Sequence, residues 1–163
     1  MNALGMTDVG LRRHENQDTF AIETVGNRIV AVVCDGMGGA EGGQIASSLA
    51  VETFMKNIRA LLRKDMTMEQ LRELASFCVA QANTAVYQRS LEGEDCRGMG
   101  TTLVSAVAGE NGTIVCNVGD SRAYLLRNGG ISRITHDHSV VQTLVESGNI
   151  TAEEARTHPN RNL

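Results

Sequence analysis

Proline occurs once in the 163 residues, tryptophan never, and no apolar run is longer than six. A run that short cannot cross a bilayer. The first ten residues lack the basic-then-apolar pattern of a secretory leader. The four cysteines, Cys34, Cys78, Cys96 and Cys116, stand far apart with no C-x-x-C pair. That spacing argues against a zinc site or a disulfide framework and for reduced core thiols in the cytoplasm. Basic residues are outnumbered, 15 Lys and Arg against 19 Asp and Glu, and they are scattered. Neither a nucleic-acid partner nor a membrane is therefore expected. No linker, low-complexity segment or internal repeat interrupts the chain, so residues 1–163 are expected to form one domain with a sizeable core.

What is present is organised around residues 28–43, Arg-Ile-Val-Ala-Val-Val-Cys-Asp-Gly-Met-Gly-Gly-Ala-Glu-Gly-Gly. The β-branched run 29–33 predicts a fully buried strand that stops at Asp35-Gly36, with a helix opening at Gln44 and Ile45. A carboxylate there sits on a rigid element and faces a loop mouth. Glycines at 36, 38, 39, 42 and 43 let backbone and carboxylate approach a ligand closely. A strand, an acid, a glycine-rich turn and a helix together suit a cation or a phosphate. The dinucleotide fingerprint fails because Glu41 stands where its third glycine belongs, and no Lys-Ser/Thr pair follows to make a P-loop. The plain alternative is a tight turn in which Asp35 caps the next helix.

Around that stretch the pattern predicts short strands at 7–11 and 18–23 and then two helices. The first helix keeps Ile45, Leu49, Phe54, Ile58, Leu61 and Leu62 on one side. The second repeats apolar residues at three- and four-residue steps, from Leu71, Leu74, Ala75 and Cys78 through Val79, Ala82, Ala85 and Val86. Four β-branched runs follow, at 101–108, 113–118, 121–127 and 131–135, separated by hairpin signals such as Asn128-Gly129-Gly130. Ser139 with Gln142 and Thr151 with Glu154 are in capping-box register for two short helices. This order predicts an α+β fold, a central antiparallel β-sandwich flanked by helices in α-β-β-α layers.

Asp35 has company. Asp18 opens a predicted strand, and Asp120 lies at the tight joint Gly119-Asp120 between two others. Three acids at strand ends suggest hard oxygen ligands suited to Mg²⁺ or Mn²⁺. Arg13 adds a planar donor fork that matches a pair of phosphate oxygens. Taken singly, Asp18 could cap a turn, Asp120 could be hairpin chemistry and Arg13 could be a solvated charge.

The segments Thr7-Asp8-Val9-Gly10, Arg13 to Asp18, Val33-Cys34-Asp35-Gly36-Met37-Gly38-Gly39, Met99-Gly100-Thr101-Thr102-Leu103, Val118-Gly119-Asp120-Ser121-Arg122 and Asp137-His138-Ser139 onward to Gly148 occur in this order. With them the chain resembles the metal-dependent serine/threonine protein phosphatases of the type-2C class, in their bacterial form. The resemblance implies hydrolysis of phosphoserine and phosphothreonine in proteins by a hydroxide between two Mn²⁺ or Mg²⁺ ions, opposing serine/threonine kinases. By position, Asp35 would bridge the two ions, the Gly36 carbonyl would join one, and Asp18 would support the pair through water. Arg13 would hold the substrate phosphate, and Asp120 would bind a third, weaker ion. Residues 136–160 would be a flap at the site mouth. No cysteine-phosphatase C-x₅-R loop is present, consistent with a mechanism without a covalent intermediate.

The chain departs from the family in two respects. A histidine that many members carry in the glycine-rich loop is replaced here by Met37 and Ala40. The general acid is thus unassigned: His14 is the nearest candidate, and His136, His138 and His158 read as flap or turn residues. The family domain also continues beyond Leu163 with two further metal-binding aspartates. The expectation is therefore an N-terminal portion, with the sandwich incomplete at its C-terminus. Such a chain would be inactive alone, and self-associating or pairing with a C-terminal piece. The rival reading is an inactive phosphatase-like module that binds phosphoproteins.

Overall fold

The computed structural model describes residues 1–39 and 41–160. Strands β1 (Asp18–Val25) and β2 (Arg28–Met37) form a hairpin around Gly26-Asn27, where Gly26 takes a positive φ of 64°. Two long helices follow, α1 (Gly42–Leu61) and α2 (Met68–Ser90). A two-residue strand, β3 (Gly100–Thr101), precedes the hairpin of β4 (Leu103–Gly109) and β5 (Gly112–Val118). β1, β2, β4 and β5 lie side by side in an antiparallel sheet, and β3 pairs with the far end of β2. A separate hairpin, β6 (Tyr124–Arg127) and β7 (Gly130–Arg133), turns on Asn128-Gly129, both at positive φ as the tightest hairpin turn requires. Two short helices close the described chain, α3 (Val140–Glu146) and α4 (Ala152–Thr157).

The expected α+β arrangement, an antiparallel sheet flanked by helices, is present. Among the described residues it takes the form of one five-stranded sheet and one separate hairpin. Val30, Val32 and Cys34 on β2 alternate toward α1, and Leu103 and Val107 on β4 do the same. Onto the sheet pack Phe54, Met55 and Ile58 of α1 and, beside them, Leu71, Cys78 and Ala82 of α2, which lies against β5. On the opposite face of β2, Val33 is exposed, and part of the N-terminal segment lies there, with Gly5 against the Phe20 ring. All four cysteines are free thiols. Burial pushes Cys34 up to about 12 and Cys78 up to about 11. No helix of the described residues is long and apolar enough to cross a membrane.

Several boundaries differ from expectation. β2 runs through Asp35 and Gly36 to Met37, because Gly36 and Met37 find a second partner in Thr101 and Gly100. The predicted strand at 101–108 is broken at Thr102, whose N–H turns to the Asp35 carbonyl (2.9 Å). Residues 7–11 form no strand, since no ladder partner meets them among the described residues. The α1 stripe holds in Phe54 and Ile58, with Ile45, Leu49 and Leu62 half-buried against the core, but it is wider than read: Ala46, Ser47, Ala50 and Val51 are buried too, while Leu61 is exposed. Small residues face the sheet here because they let the helix lie close to it. The α2 stripe stands as read, with only Val79 and Ala85 half-buried, and its N-terminus carries a full Thr67–Gln70 capping box. Ser139 caps α3 from one side only, because the Gln142 amide donates to Glu146 instead. Thr151 and Glu154 complete theirs.

The segment leading into α3 is tied down by one buried carboxylate. Asp137, 6% exposed, receives Arg122 through both Nε (3.0 Å) and a terminal nitrogen (2.6 Å), and Arg133 at 3.3 Å. The Arg122 hydrogen bonds hold its carboxyl below the ordinary value. A carboxyl lowered on folding stabilises fully above its unfolded-state value and loses that contribution as pH falls through the lowered one. Asp137→Asn is expected to cost about 2 kcal/mol at neutral pH, the scale of hydrogen bonds to charged groups. Urea titrations at pH 7 and pH 3 check this. The gap between wild type and variant should shrink in acid, and an equal gap at both would show that charge is not what holds the segment.

Candidate metal and phosphate site

Asp18 and Asp35 are cross-strand partners at the open end of the β1–β2 hairpin. In an antiparallel pair such neighbours present their side chains on the same face. The two carboxyls come close enough to share a hydrogen bond when one is protonated. Partial burial raises Asp35 above the ordinary carboxylate value, and the charge of Asp18 and then of Asp120 raises it further, while Arg13 opposes them. Carboxylates pressed together with one arginine nearby repel one another, and a hard divalent cation relieves such repulsion. The chemistry of Asp18 and Asp35 therefore fits Mg²⁺ or Mn²⁺. Among the described residues no group of three His, Cys, Asp or Glu gathers tightly enough to enclose an ion. The abutting pair is the nucleus, and Asp120 stands off from it on the other side.

The backbone of Asp35 is fixed independently of its side chain. Its N–H donates to Thr102 Oγ1 (3.0 Å), and its carbonyl accepts from the Thr102 N–H (2.9 Å) and from Thr101 Oγ1 (3.0 Å). Thr102 Oγ1 in turn meets Ser121 Oγ at 2.7 Å, next to Asp120. Asp18 is set by Asn16, whose Oδ1 accepts the Asp18 N–H at 3.0 Å and whose Nδ2 donates to Thr7 (2.7 Å). Sequence reading gave Thr101, Thr102 and Asn16 no role. Only Asn16, two positions before Asp18, carried a local signal; Thr101 and Thr102 have no acid near them in the sequence.

The glycine-rich loop serves packing as much as access. A Cβ on Gly36 would lie 2.0 Å from the Gly43 carbonyl oxygen, so the end of β2 and the start of α1 touch backbone to backbone. The Gly36 N–H donates to the Gln17 carbonyl (3.0 Å), closing the loop that carries Arg13 onto the strand. Asp35 does not cap α1, whose N-cap is Glu41 with no side-chain cap bond. That removes the plain-turn alternative. Ala40, one of the two positions where the resemblance would place a histidine, lies outside the described residues, as do 161–163.

Arg13, Asp18, Asp35 and Gly36 line one pocket of about 240 Å³, roofed by Asp8 and Val9. Asp120 lies across from it and lines a different pocket. His14 is exposed and absent from either lining. His136 pairs with Glu146, and His158 accepts the Asn160 N–H at 3.1 Å, both local contacts away from the acids.

Residues 12–161 match the family described as Protein phosphatase 2C. The serine/threonine phosphatase stp of Listeria monocytogenes is 37% identical over 167 residues, covering 100% of this chain and 65% of that protein. The serine/threonine protein phosphatase PstP of Mycobacterium tuberculosis is 38% identical over 157 residues, covering 96% of this chain and 29% of its own length. Among solved structures, the S. agalactiae serine/threonine phosphatase superposes with a TM-score of 0.87 at 32% identity, over 97% of this chain and 64% of that one. The Staphylococcus aureus phosphatase Stp1 does so with a TM-score of 0.83 at 38% identity. The chain thus spans about 65% of the length of the Listeria relatives it matches.

Proposed function

The chain belongs to the protein phosphatase 2C family, and on that premise we propose that the protein hydrolyses phosphoserine and phosphothreonine in other proteins, opposing a serine/threonine kinase. Mn²⁺ or Mg²⁺ is its cofactor, two ions with a third held more weakly. The observation that carries this reading is the abutting Asp18–Asp35 pair facing Arg13 in one pocket. The relatives' names as serine/threonine phosphatases support the substrate class.

Asp35 and the Gly36 carbonyl would hold the two ions, with Asp18 in support, and Asp120 would hold the third. When bound, the cations would supply an activated water and offset charge developing on the phosphoryl oxygens. The rest falls to the chain. The Arg13 guanidinium offers two parallel N–H donors to two phosphate oxygens and so fixes the ester's orientation. Thr101 and Thr102 hold Asp35 still while the charge beside it changes. Preorganised groups of this kind need no reorganisation at the moment of reaction.

Arg13→Ala in the full-length protein is expected to raise KM about tenfold while Mn²⁺ affinity stays the same, the mark of a lost binding contact. Arg13→Lys should restore only part of the loss, since an ammonium lacks the fork. Steady-state hydrolysis of p-nitrophenyl phosphate with and without Mn²⁺ tests both the activity and this role. An unchanged KM would place Arg13 outside the site. A second reading, a phosphoprotein-binding module without turnover, is favoured by the thin ligand set, two abutting carboxylates among the described residues. Mn²⁺-independent silence in the same assay would select it.

A further inference from the structure

Beside the acid pair, and sharing Asp120 with the site built above, lies a pocket of about 450 Å³ between the base of the β6–β7 hairpin, α3 and α4. Val141 and Val145 of α3 with Ala152 and Ala155 of α4 make one wall apolar. Three guanidinium groups, Arg122, Arg133 and Arg156, also line the pocket. Two carboxylates answer them. Asp137 is shared by Arg122 and Arg133 and can neutralise only one of the two. Asp120 is the second, and it faces the Asp18–Asp35 pair closely enough for its charge to be felt there.

Arg156 is exposed and has no hydrogen-bond or ion-pair partner among the described residues. Of the two acids of α4, Glu154 is engaged by the Thr151 N–H and hydroxyl, and Glu153, three positions before Arg156, forms no ion pair with it. A cation held near Asp120 would leave the pocket more positive still. The pocket thus combines a net cationic lining, an apolar wall and a position next to the phosphate site. Extended peptide advances about 3.3–3.6 Å per residue, so a neighbour a few positions from a bound phosphoresidue would arrive there.

We propose that this pocket is a recognition subsite for an acidic side chain of the substrate, an aspartate or glutamate within a few residues of the phosphorylated serine or threonine. Arg156 is its principal contact, Arg133 the second, and the apolar wall packs against the methylenes of the acidic side chain. The inference rests on the phosphoprotein reading of the neighbouring site.

Fluorescence polarisation with the full-length protein and Mn²⁺ tests it, using peptides of one length that differ in flanking residues and carry a non-hydrolysable phosphonate analogue at each phosphoserine position, so that turnover cannot consume the probe. One set carries glutamates, one alanines and one a second phosphoserine; the unphosphorylated alanine and glutamate peptides complete the series. The glutamate phosphopeptide should bind about tenfold tighter than the alanine one, the scale of one charge-assisted contact. The preference should weaken with salt, as exposed ion pairs do. Arg156→Glu should bring the ratio of the two affinities to one or below, and Arg133→Gln should reduce it. Equal affinities in the wild type, or a preference that survives Arg156→Glu, would overturn the subsite. A preference for the second phosphoserine without one for glutamate would overturn the carboxylate assignment. If the alanine phosphopeptide binds no better than its unphosphorylated form, the phosphoprotein reading fails, and this inference with it.

Discussion

Asp35→Asn is expected to abolish phosphoester turnover and to weaken Mn²⁺ binding by more than about 100-fold, beyond what loss of an outer-shell partner costs. An amide keeps the shape of the carboxylate but carries no charge to set against a divalent ion. The fold should not suffer. The bonds that seat residue 35 run from its backbone to Thr101 and Thr102 and survive the change. The repulsion that raises Asp35 beside Asp18 disappears, so without metal the melting temperature should hold or rise. Calorimetric Mn²⁺ titration and thermal unfolding of the same sample check both halves. Unaltered Mn²⁺ affinity would remove Asp35 from the cation site, and a large drop in melting temperature would show that its carboxylate is structural.

Gly36→Ala should produce the largest loss of stability of any single methyl added to the glycine-rich loop. Its Cβ would lie 2.0 Å from the Gly43 carbonyl oxygen and 2.8 Å from that of Gln17. Both are backbone atoms, so no side-chain rotation relieves the clash. Either α1 must lift from the end of β2 or the strand must bend, at about 3 kcal/mol, the upper range of overpacking. Gly39→Ala is the control. Its Cβ meets nothing within 4 Å, and only its φ of +46° is unfavourable, which costs about 1 kcal/mol. Denaturant titration of the two variants should therefore separate them clearly. Equal losses would mean that the contact between β2 and α1 yields more easily than its geometry implies.

Much of this was legible before any coordinates. The α2 stripe is made of residues whose spacing and size both announce a buried face, and it stands almost residue for residue. The α1 stripe was read only in part, because large residues dominate a hydrophobic pattern, whereas closeness to a sheet also selects small ones such as Ala46 and Ala50. Three acids at strand ends were visible as a group. The register was not read: that position 18 stands opposite position 35 across the Gly26-Asn27 turn is known from the folded hairpin. What no local pattern contains is the clamp on Asp35. It arises from residues more than sixty positions away, through a two-residue strand too short to have a periodicity. The three arginines of the neighbouring pocket likewise come from separate elements and meet only in the folded chain.

Cys34 immediately precedes the central aspartate, with its side chain turned to the opposite face of the strand and fully buried. A thiol pushed up to about 12 holds almost no thiolate at neutral pH, and thiolate is the form that peroxide and alkylating reagents attack. Phosphatases built on a cysteine nucleophile are silenced by oxidants because the reacting atom is itself a low-pKa sulfur. Here the thiol next to the central aspartate is buried and stays protonated. On the proposed reading, an oxidant that stops thiol-dependent dephosphorylation would find no reactive sulfur at Cys34, so the two kinds of signal erasure would be separable in the same cell.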